Sequence, residues 1–515
     1  MSARRFLNIR PGENFSTAEL ILIFCSAALI LDLVALPTHL WFDSYLLRDP
    51  AAVLSIHHLL SQGYRVNINF GYQYGLLGLL LQELCLAISG PTDCSAVEVL
   101  SIIFSLAIAS GLAVFASRMK IGQLGFYLFL VTMPFTLVHY RTAEGALLSL
   151  ALAQQAAGRR DRALALTTAA CLAKPVMAYV YGFLLIVLIV ADLKRKRALG
   201  FAAVVRSLLP AFTVGIILLV LLGAVFGPGS LITTILPLRG AANYRALHFG
   251  FFSGAGRTFW YFPGAILAYY FVTPAAFWLI GSVWLVFSGS TALYDLTTSS
   301  TLTEEDRRNR EIIVTCAGLH VAFVTLFYGS AASWIYYAYI LVMGIGATAS
   351  WVGDGTAPIR RRSRFCLEAL LFIALMGTTW FFKDPYQRWS RAARSEETAG
   401  LWAFQDERIE WTQVLHIVER AKAATLLVPF SGGELLFPEF QKPVIAFLLP
   451  GESVPSEVAR KAGQLSGADF IVKPTARALG GDPDFILNWW PQLKNALVGT
   501  KRIFRGEYFE VYERS

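Results

Sequence analysis

Charge is what this sequence lacks most. Only 15% of its 515 residues are Asp, Glu, Lys or Arg, while 56% are hydrophobic, and a chain of that length has too little polar surface to fold as a water-soluble protein. The six cysteines, at positions 25, 85, 94, 171, 316 and 366, keep no metal-ligand spacing, and none lies in the C-terminal tail; a cysteine-based metal module is excluded. The middles of the apolar stretches are nearly free of ionisable residues, and no inverted repeat is visible. A secondary transporter would carry charges midway along several spans in two related halves. The N-terminus pairs a basic region with an apolar core, as a signal peptide does, but the core is long and lacks a small-x-small cleavage site, so an uncleaved first span is expected.

What is present is a series of about eleven apolar stretches, several of them near the roughly 20 residues that a helix needs to cross the hydrocarbon of a bilayer. They fall at 19–36, 97–116, 124–138, 142–157, 162–175, 176–192, 203–226, 263–287, 311–328, 333–351 and 366–382. Most of the net charge of +9 sits in short runs at their ends: Arg4, Arg5 and Arg10; Arg118 and Lys120; Arg159, Arg160 and Arg162; Lys194 to Arg197; Arg307, Arg308 and Arg310; Arg360 to Arg362 with Arg364. That is the positive-inside pattern of a membrane protein, not a nucleic-acid footprint. With these clusters cytoplasmic, 37–96 and 227–262 become outer loops and the tail from 384 lies outside. Residues 73–90 are apolar enough to span, yet a crossing there inverts the basic clusters up to Arg197, so this helix is expected to lie in the outer interface.

The tail reads differently. Short β-rich runs at 425–430, 443–448 and 469–472 alternate with helical patterns at 407–422, 455–465 and 484–496, which predicts a small α/β domain. Residues 501–514 alternate across Arg505-Gly506 as a closing hairpin. Ser431-Gly432-Gly433-Glu434 lacks the Lys-Ser/Thr and the glycine spacing of a phosphate loop and reads as an ordinary turn. The fold class is therefore mainly α, a polytopic transmembrane helical protein of about 11 spans over 1–383 with a small C-terminal α/β domain over 384–515 on the outer side.

Chemistry concentrates in the first outer loop. Asp49 precedes Pro50 and a short apolar-periodic helix from 51 to 61, the arrangement of an N-cap with proline at the first helical position. Asp43 and the adjacent His57 and His58 lie nearby, and Tyr72-Gln73-Tyr74-Gly75 opens the next apolar helix. Two adjacent histidines on a helix point about 100° apart and do not easily share one metal ion. Further on come His139-Tyr-Arg141-Thr-Ala-Glu144, an apolar helix to Ala157, the turn Gly158-Arg-Arg-Asp-Arg162, and a helix ending at Lys174.

An acid after the first span, a short helix, a Tyr-x-Tyr-Gly segment and a second apolar helix resemble the first periplasmic loop of the GT-C glycosyltransferases. These polytopic enzymes take sugars from polyprenyl-phosphate carriers and include the bacterial aminoarabinose transferases and the protein O-mannosyltransferases. The resemblance covers the first 200 residues by motif and the remainder by architecture. It implies that Asp49 is the catalytic or metal-binding loop acid and that Glu144 matches a second acid. Pro50 stands where the family carries a further acid. It also implies that Lys174 matches a closing lysine able to face the lipid phosphate.

Outer loop 227–262 supplies Arg239, Arg245 and Arg257 as candidates for the donor phosphate, since arginine grips phosphate with paired donors, and aromatics that sit at an interface or stack on a sugar. Asp43, His57, Tyr72, Tyr74, His139, Arg141 and His248 are the candidate substrate or acceptor residues, and a divalent metal such as Mg or Mn is a candidate ligand of Asp49 and Glu144. The expected activity is transfer of a sugar from a polyprenyl-phosphate donor to a lipid, glycan or protein acceptor on the outer face of a bacterial inner membrane. A polysaccharide polymerase or ligase, or less readily a transporter, is the alternative. Membrane lipids are expected partners and nucleic acid is not.

Overall fold

The computed structural model describes residues 15–35, 56–57, 60–61, 63, 65–66, 68, 75–89, 95–137, 143–198, 200–235, 274–299, 302–327, 338–352, 366–375, 392–394, 402–418, 469–475 and 497–515. In chain order the helices are α1 (Thr17–Ala35), α2 (Leu76–Ser89), α3 (Ser95–Arg118), α4 (Gln123–Leu137), α5 (Ala143–Ala156), α6 (Arg160–Ala173), α7 (Pro175–Arg195), α8 (Phe201–Phe226), α9 (Pro228–Ile235), α10 (Pro274–Thr298), α11 (Glu304–Phe327), α12 (Ala338–Val352) and α13 (Cys366–Leu375). The tail adds β1 (Ala392–Arg394), β2 (Trp402–Phe404), α14 (Gln405–Val418), β3 (Phe470–Pro474), β4 (Thr500–Arg505) and β5 (Phe509–Arg514). The chain divides into two compact units. One comprises Met1–Val34, Ser101–Leu221 and Gly256–Asp384, and the other Ala35–Leu100, Leu222–Ala255 and Pro385–Ser515.

In the first unit lipid is the solvent. Among the described residues four segments, Val99–Arg118, Met177–Arg195, Phe201–Phe226 and Leu279–Thr298, are long and apolar enough to cross a membrane. On α8, Phe212, Ile216, Ile217 and Val220 are each exposed by 60% or more. A helix that is apolar around its circumference and bare of protein cover belongs in hydrocarbon. The chain is a multi-pass membrane protein. The described parts of α5 and α6, 14 residues each, rise only about 21 Å at 1.5 Å per residue, less than a full crossing.

Local chemistry sets the helix ends. Ser16 caps α1, its amide donating to Glu19 Oε2 at 2.7 Å while the Glu19 amide donates to Ser16 Oγ at 3.3 Å, a reciprocal capping box. Gly158, with φ +77°, ends α5 in the left-handed conformation that glycine adopts without penalty. Lys174 is extended (φ −163°, ψ 112°) because Pro175 forbids helix before it, and Pro175 then opens α7.

Two helix limits differ from the sequence reading. The stretch 263–287 was expected to span; residues 263–273 lie outside the described residues, and α10 runs on past 287 to Thr298. Ser290, Thr291, Thr297 and Thr298 turn their hydroxyls back onto carbonyls four residues earlier, which hides polar groups along the helix. Helix α11 starts at Glu304 rather than 311, because Thr303 accepts the Asp306 amide at 3.1 Å and three acids occupy the positive end of the helix dipole.

The basic clusters of this unit come together. Lys120 pairs with Glu305 (2.8 Å), Arg160 with Asp192 (3.1 Å) and with Glu311, Arg195 with Glu304 (3.2 Å), Lys196 with Asp192 (2.9 Å), and Arg310 with Asp295 (2.9 Å). These pairs tie the α3–α4 turn, the α5–α6 turn, the end of α7 and the facing ends of α10 and α11 into one polar plane. Thr17 Oγ1 lies 2.8 Å from Ser117 Oγ, and Ser350 donates to the Met119 carbonyl at 2.7 Å, which brings the start of α1 and the end of α12 to the same plane. Arg310 also sits 5.6 Å from the ring centroid of Trp351.

Between that plane and the far end, a buried amide joins three helices. Tyr181 of α7 donates its hydroxyl to Gln155 Oε1 (2.7 Å), and Gln155 Nε2 donates to Thr315 Oγ1 of α11 (3.1 Å). In hydrocarbon such groups have no water to fall back on.

In the second unit the tail holds an antiparallel sheet of order β3-β5-β4. The expected hairpin over 501–514 is present as β4 and β5, the expected strand 469–472 as β3, and the expected helix 407–422 as α14. Glu410 on α14 accepts the amides of Glu507 (2.7 Å), Tyr508 (2.8 Å) and Phe509 (2.5 Å), and Trp411 packs on Phe509 with ring centroids 5.0 Å apart. Residue 506 must be glycine here, since a Cβ would stand 2.1 Å from the Glu410 carboxylate. The pair β1–β2 was not anticipated. Expected elements at 425–430, 443–448, 455–465 and 484–496 lie outside the described residues.

The Gln155 junction yields a stability prediction. Gln155→Leu leaves the Tyr181 hydroxyl buried without its acceptor, and unfolding in detergent should show a loss of about 1–3 kcal/mol. Adding Tyr181→Phe should recover most of that loss; a double variant no more stable than the single would show that the amide does not pin these helices.

Candidate active site

The polar plane fixes which end of each helix lies where. Helix α5 runs from Glu144 down to the Gly158 turn, α6 returns to Lys174, α7 descends from Pro175, and α12 descends from Tyr339. Glu144 stands about 21 Å from the plane, taking 1.5 Å of rise per residue. By the same count Asp32, near the end of α1, stands about 22 Å from it. The end of the first unit away from the basic plane therefore gathers Asp32, Glu144, Lys174 and Tyr339.

Glu144 is 1% exposed and Asp32 is 2% exposed. A carboxylate so deeply placed in a membrane helix is costly to ionise and is retained where a site or a water-filled cavity repays the cost. Glu144 occupies the first turn of α5, where the helix dipole favours negative charge, and it lies within electrostatic reach of Cys171 on α6 and of the fully buried Tyr339 on α12. His320 on α11, also buried, has its Nε2 2.8 Å from Ser282 Oγ of α10.

In the second unit one candidate residue is placed in detail. His57 Nδ1 lies 2.7 Å from Glu83 Oε2 on α2, with the two side chains 23% and 20% exposed. Burial pushes the Glu83 carboxyl above the usual range, and the hydrogen bond and charge interaction with His57 oppose that shift.

Of the residues expected from the sequence, Glu144, Lys174 and His57 are thus placed, with Glu144 and Lys174 at one end of the α5–α6 hairpin. Asp43, Asp49, Tyr72, Tyr74, His139, Arg141, Arg239, Arg245, His248 and Arg257 lie outside the described residues. Among the described residues no three His, Cys, Asp or Glu side chains gather to hold a metal ion. Three residues were missed by the sequence reading: Asp32, Glu83 and Tyr339. The signal for Asp32 was available, an acid inside an apolar span; Glu83 and Tyr339 are ordinary in sequence and acquire their place only through packing.

No family profile and no curated protein matches the chain. Among solved structures it is similar to ArnT from Cupriavidus metallidurans, in the apo state and bound to undecaprenyl phosphate, with 14% identity over 96% of this chain and 98% of that one and a TM-score of 0.41.

Proposed function

We propose that the protein is a membrane glycosyltransferase that moves a sugar from a polyprenyl-phosphate donor to a hydroxyl of a lipid, glycan or protein acceptor on the outer face of a bacterial inner membrane. The observation that carries the reading is Glu144, a buried carboxylate at the end of the bundle away from the basic plane, in the segment whose motif resembles the second acid of the GT-C enzymes. A helix bundle that served only as an anchor has no use for a carboxylate there, and leucine would cost less.

In the reaction the acceptor oxygen bonds to the anomeric carbon and the bond from that carbon to the phosphate oxygen breaks, its electron pair leaving with the lipid phosphate. The acceptor's proton passes to a base, for which Asp49 is the first choice. Charge developing on the phosphate calls for cations held in place beforehand. Arg245, with Arg239 and Arg257, and Lys174 at the end of α6, are assigned to it. Because Pro50 stands where the family carries a further acid, the phosphate charge is assigned to these cations. We assign the C-terminal domain to acceptor choice, which requires it to face the outer compartment.

Membranes containing the protein should consume one radiolabelled polyprenyl-phosphate sugar from a panel of hexose and pentose donors and release polyprenyl phosphate. Asparagine caps a helix about as well as aspartate, so Asp49→Asn should leave thermal stability near the parent while slowing transfer by about 100-fold or more. Transfer at the parental rate would reduce Asp49 to a cap.

Glu144→Gln keeps size and hydrogen-bonding shape and removes the charge. It should fold and express as the parent does and lower transfer by at least about tenfold, given the usual cost of losing preorganised charge at a site. Unchanged turnover would leave Glu144 as a helix-end charge and remove the observation on which the reading rests.

A further inference from the structure

The second unit contains a polar pair that this mechanism does not use. His57 Nδ1 and Glu83 Oε2 are 2.7 Å apart, and Glu83 Oε1 is buried with no hydrogen-bond partner among the described residues. Ile56, next to His57 in sequence, and Leu79, one turn before Glu83 on α2, are each at most 4% exposed. A hydrogen bond from Nδ1–H to a carboxylate fixes the ring's tautomer and orientation, and it leaves the lone pair of Nε2 as a hydrogen-bond acceptor. The side chains of His57 and Glu83 are 23% and 20% exposed, so the ring is reachable.

We propose that His57 and Glu83 form a hydroxyl-binding subsite for the carbohydrate part of the acceptor, with His57 Nε2 accepting a hydrogen bond from a sugar hydroxyl and Glu83 acting as the positioning residue. The proposal rests on the glycosyl-transfer reading for the identity of its ligand. The chemistry selects the class: an imidazole nitrogen that accepts, beside a carboxylate, favours an uncharged hydroxyl over a phosphate, which offers acceptors and negative charge where this site offers an acceptor of its own. No proton is transferred in this binding step.

The test uses the full-length protein in nanodiscs with 15N-labelled histidine, the His57 signals being assigned by their loss in His57→Gln. In the parent, Nε2 should carry the shift of an unprotonated nitrogen near neutral pH, and it should move on titration with octyl glucoside below solubilising concentrations. Octyl dimethylamine oxide, an equally short chain without hydroxyls, should leave it in place. In Glu83→Gln the response to octyl glucoside should fall by about tenfold, the order typical of losing a group that orients a ligand. A proton on Nε2 in the parent, or equal responses to the two amphiphiles, overturns the subsite even where donor consumption is normal. If Glu83→Gln does not fold, the parental tautomer and its selective response decide the matter. A selective response without any consumption of polyprenyl donors keeps the hydroxyl subsite and overturns the transfer reaction instead.

Discussion

Everything in the first unit hangs from the ion pairs that gather the ends of its helices. Arg160, with 18% of its side chain exposed, is shared between Asp192 and Glu311, exposed by 17% and 13%. Asp192 in turn takes Arg195 and Lys196. Isolated surface pairs contribute almost nothing to stability, but here Asp192 serves three cations and Arg160 joins two carboxylates on different helices, and removing one partner would strand a half-buried charge. The network also sets direction. Once the α5–α6 turn, the end of α7 and the start of α11 are tied together, the opposite ends of those helices have nowhere to go but the far side of the bundle.

That constraint explains how a site forms there from residues scattered in sequence. Glu144 begins a helix that ends at the plane, Lys174 ends one that begins at it, and Tyr339 opens a helix whose last turn meets Met119 and Arg310. Between the two ends, Gln155 spends both halves of its amide on Tyr181 and Thr315, so the polar groups crossing the apolar zone are matched to one another. The far layer buries two carboxylates, Asp32 and Glu144, a placement costly enough in a membrane helix to mark a site.

Much of this was legible in the sequence. Among the described residues, the apolar helices, the meeting of the basic clusters around Lys120, Arg160, Arg195 and Arg310, and the tail hairpin at Arg505-Gly506 follow from hydropathy, charge and turn chemistry alone. Where the reading slipped, hydroxyl side chains were the cause: Ser290, Thr291, Thr297 and Thr298 look like the end of a span in a hydropathy count, yet they satisfy themselves on the helix backbone and continue it. Asp32 was passed over because a single acid barely changes the average of an apolar window. The pairing of His57 with Glu83 had no sequence signal, since it depends on how α2 packs against a segment some 20 residues earlier, a matter of tertiary contact rather than of period.

The account's central claim is that the basic plane faces the cytoplasm and the Glu144 layer faces outward. Its most direct test is a pair of reporter fusions whose activity depends on compartment. A fusion after Arg197 should be active only in a cytoplasmic assay and one after Ser515 only in an outer-compartment assay, as alternating crossings with cytoplasmic basic clusters require. A cytoplasmic reporter at Ser515 would contradict the account and leave the proposed chemistry on the wrong side of the membrane.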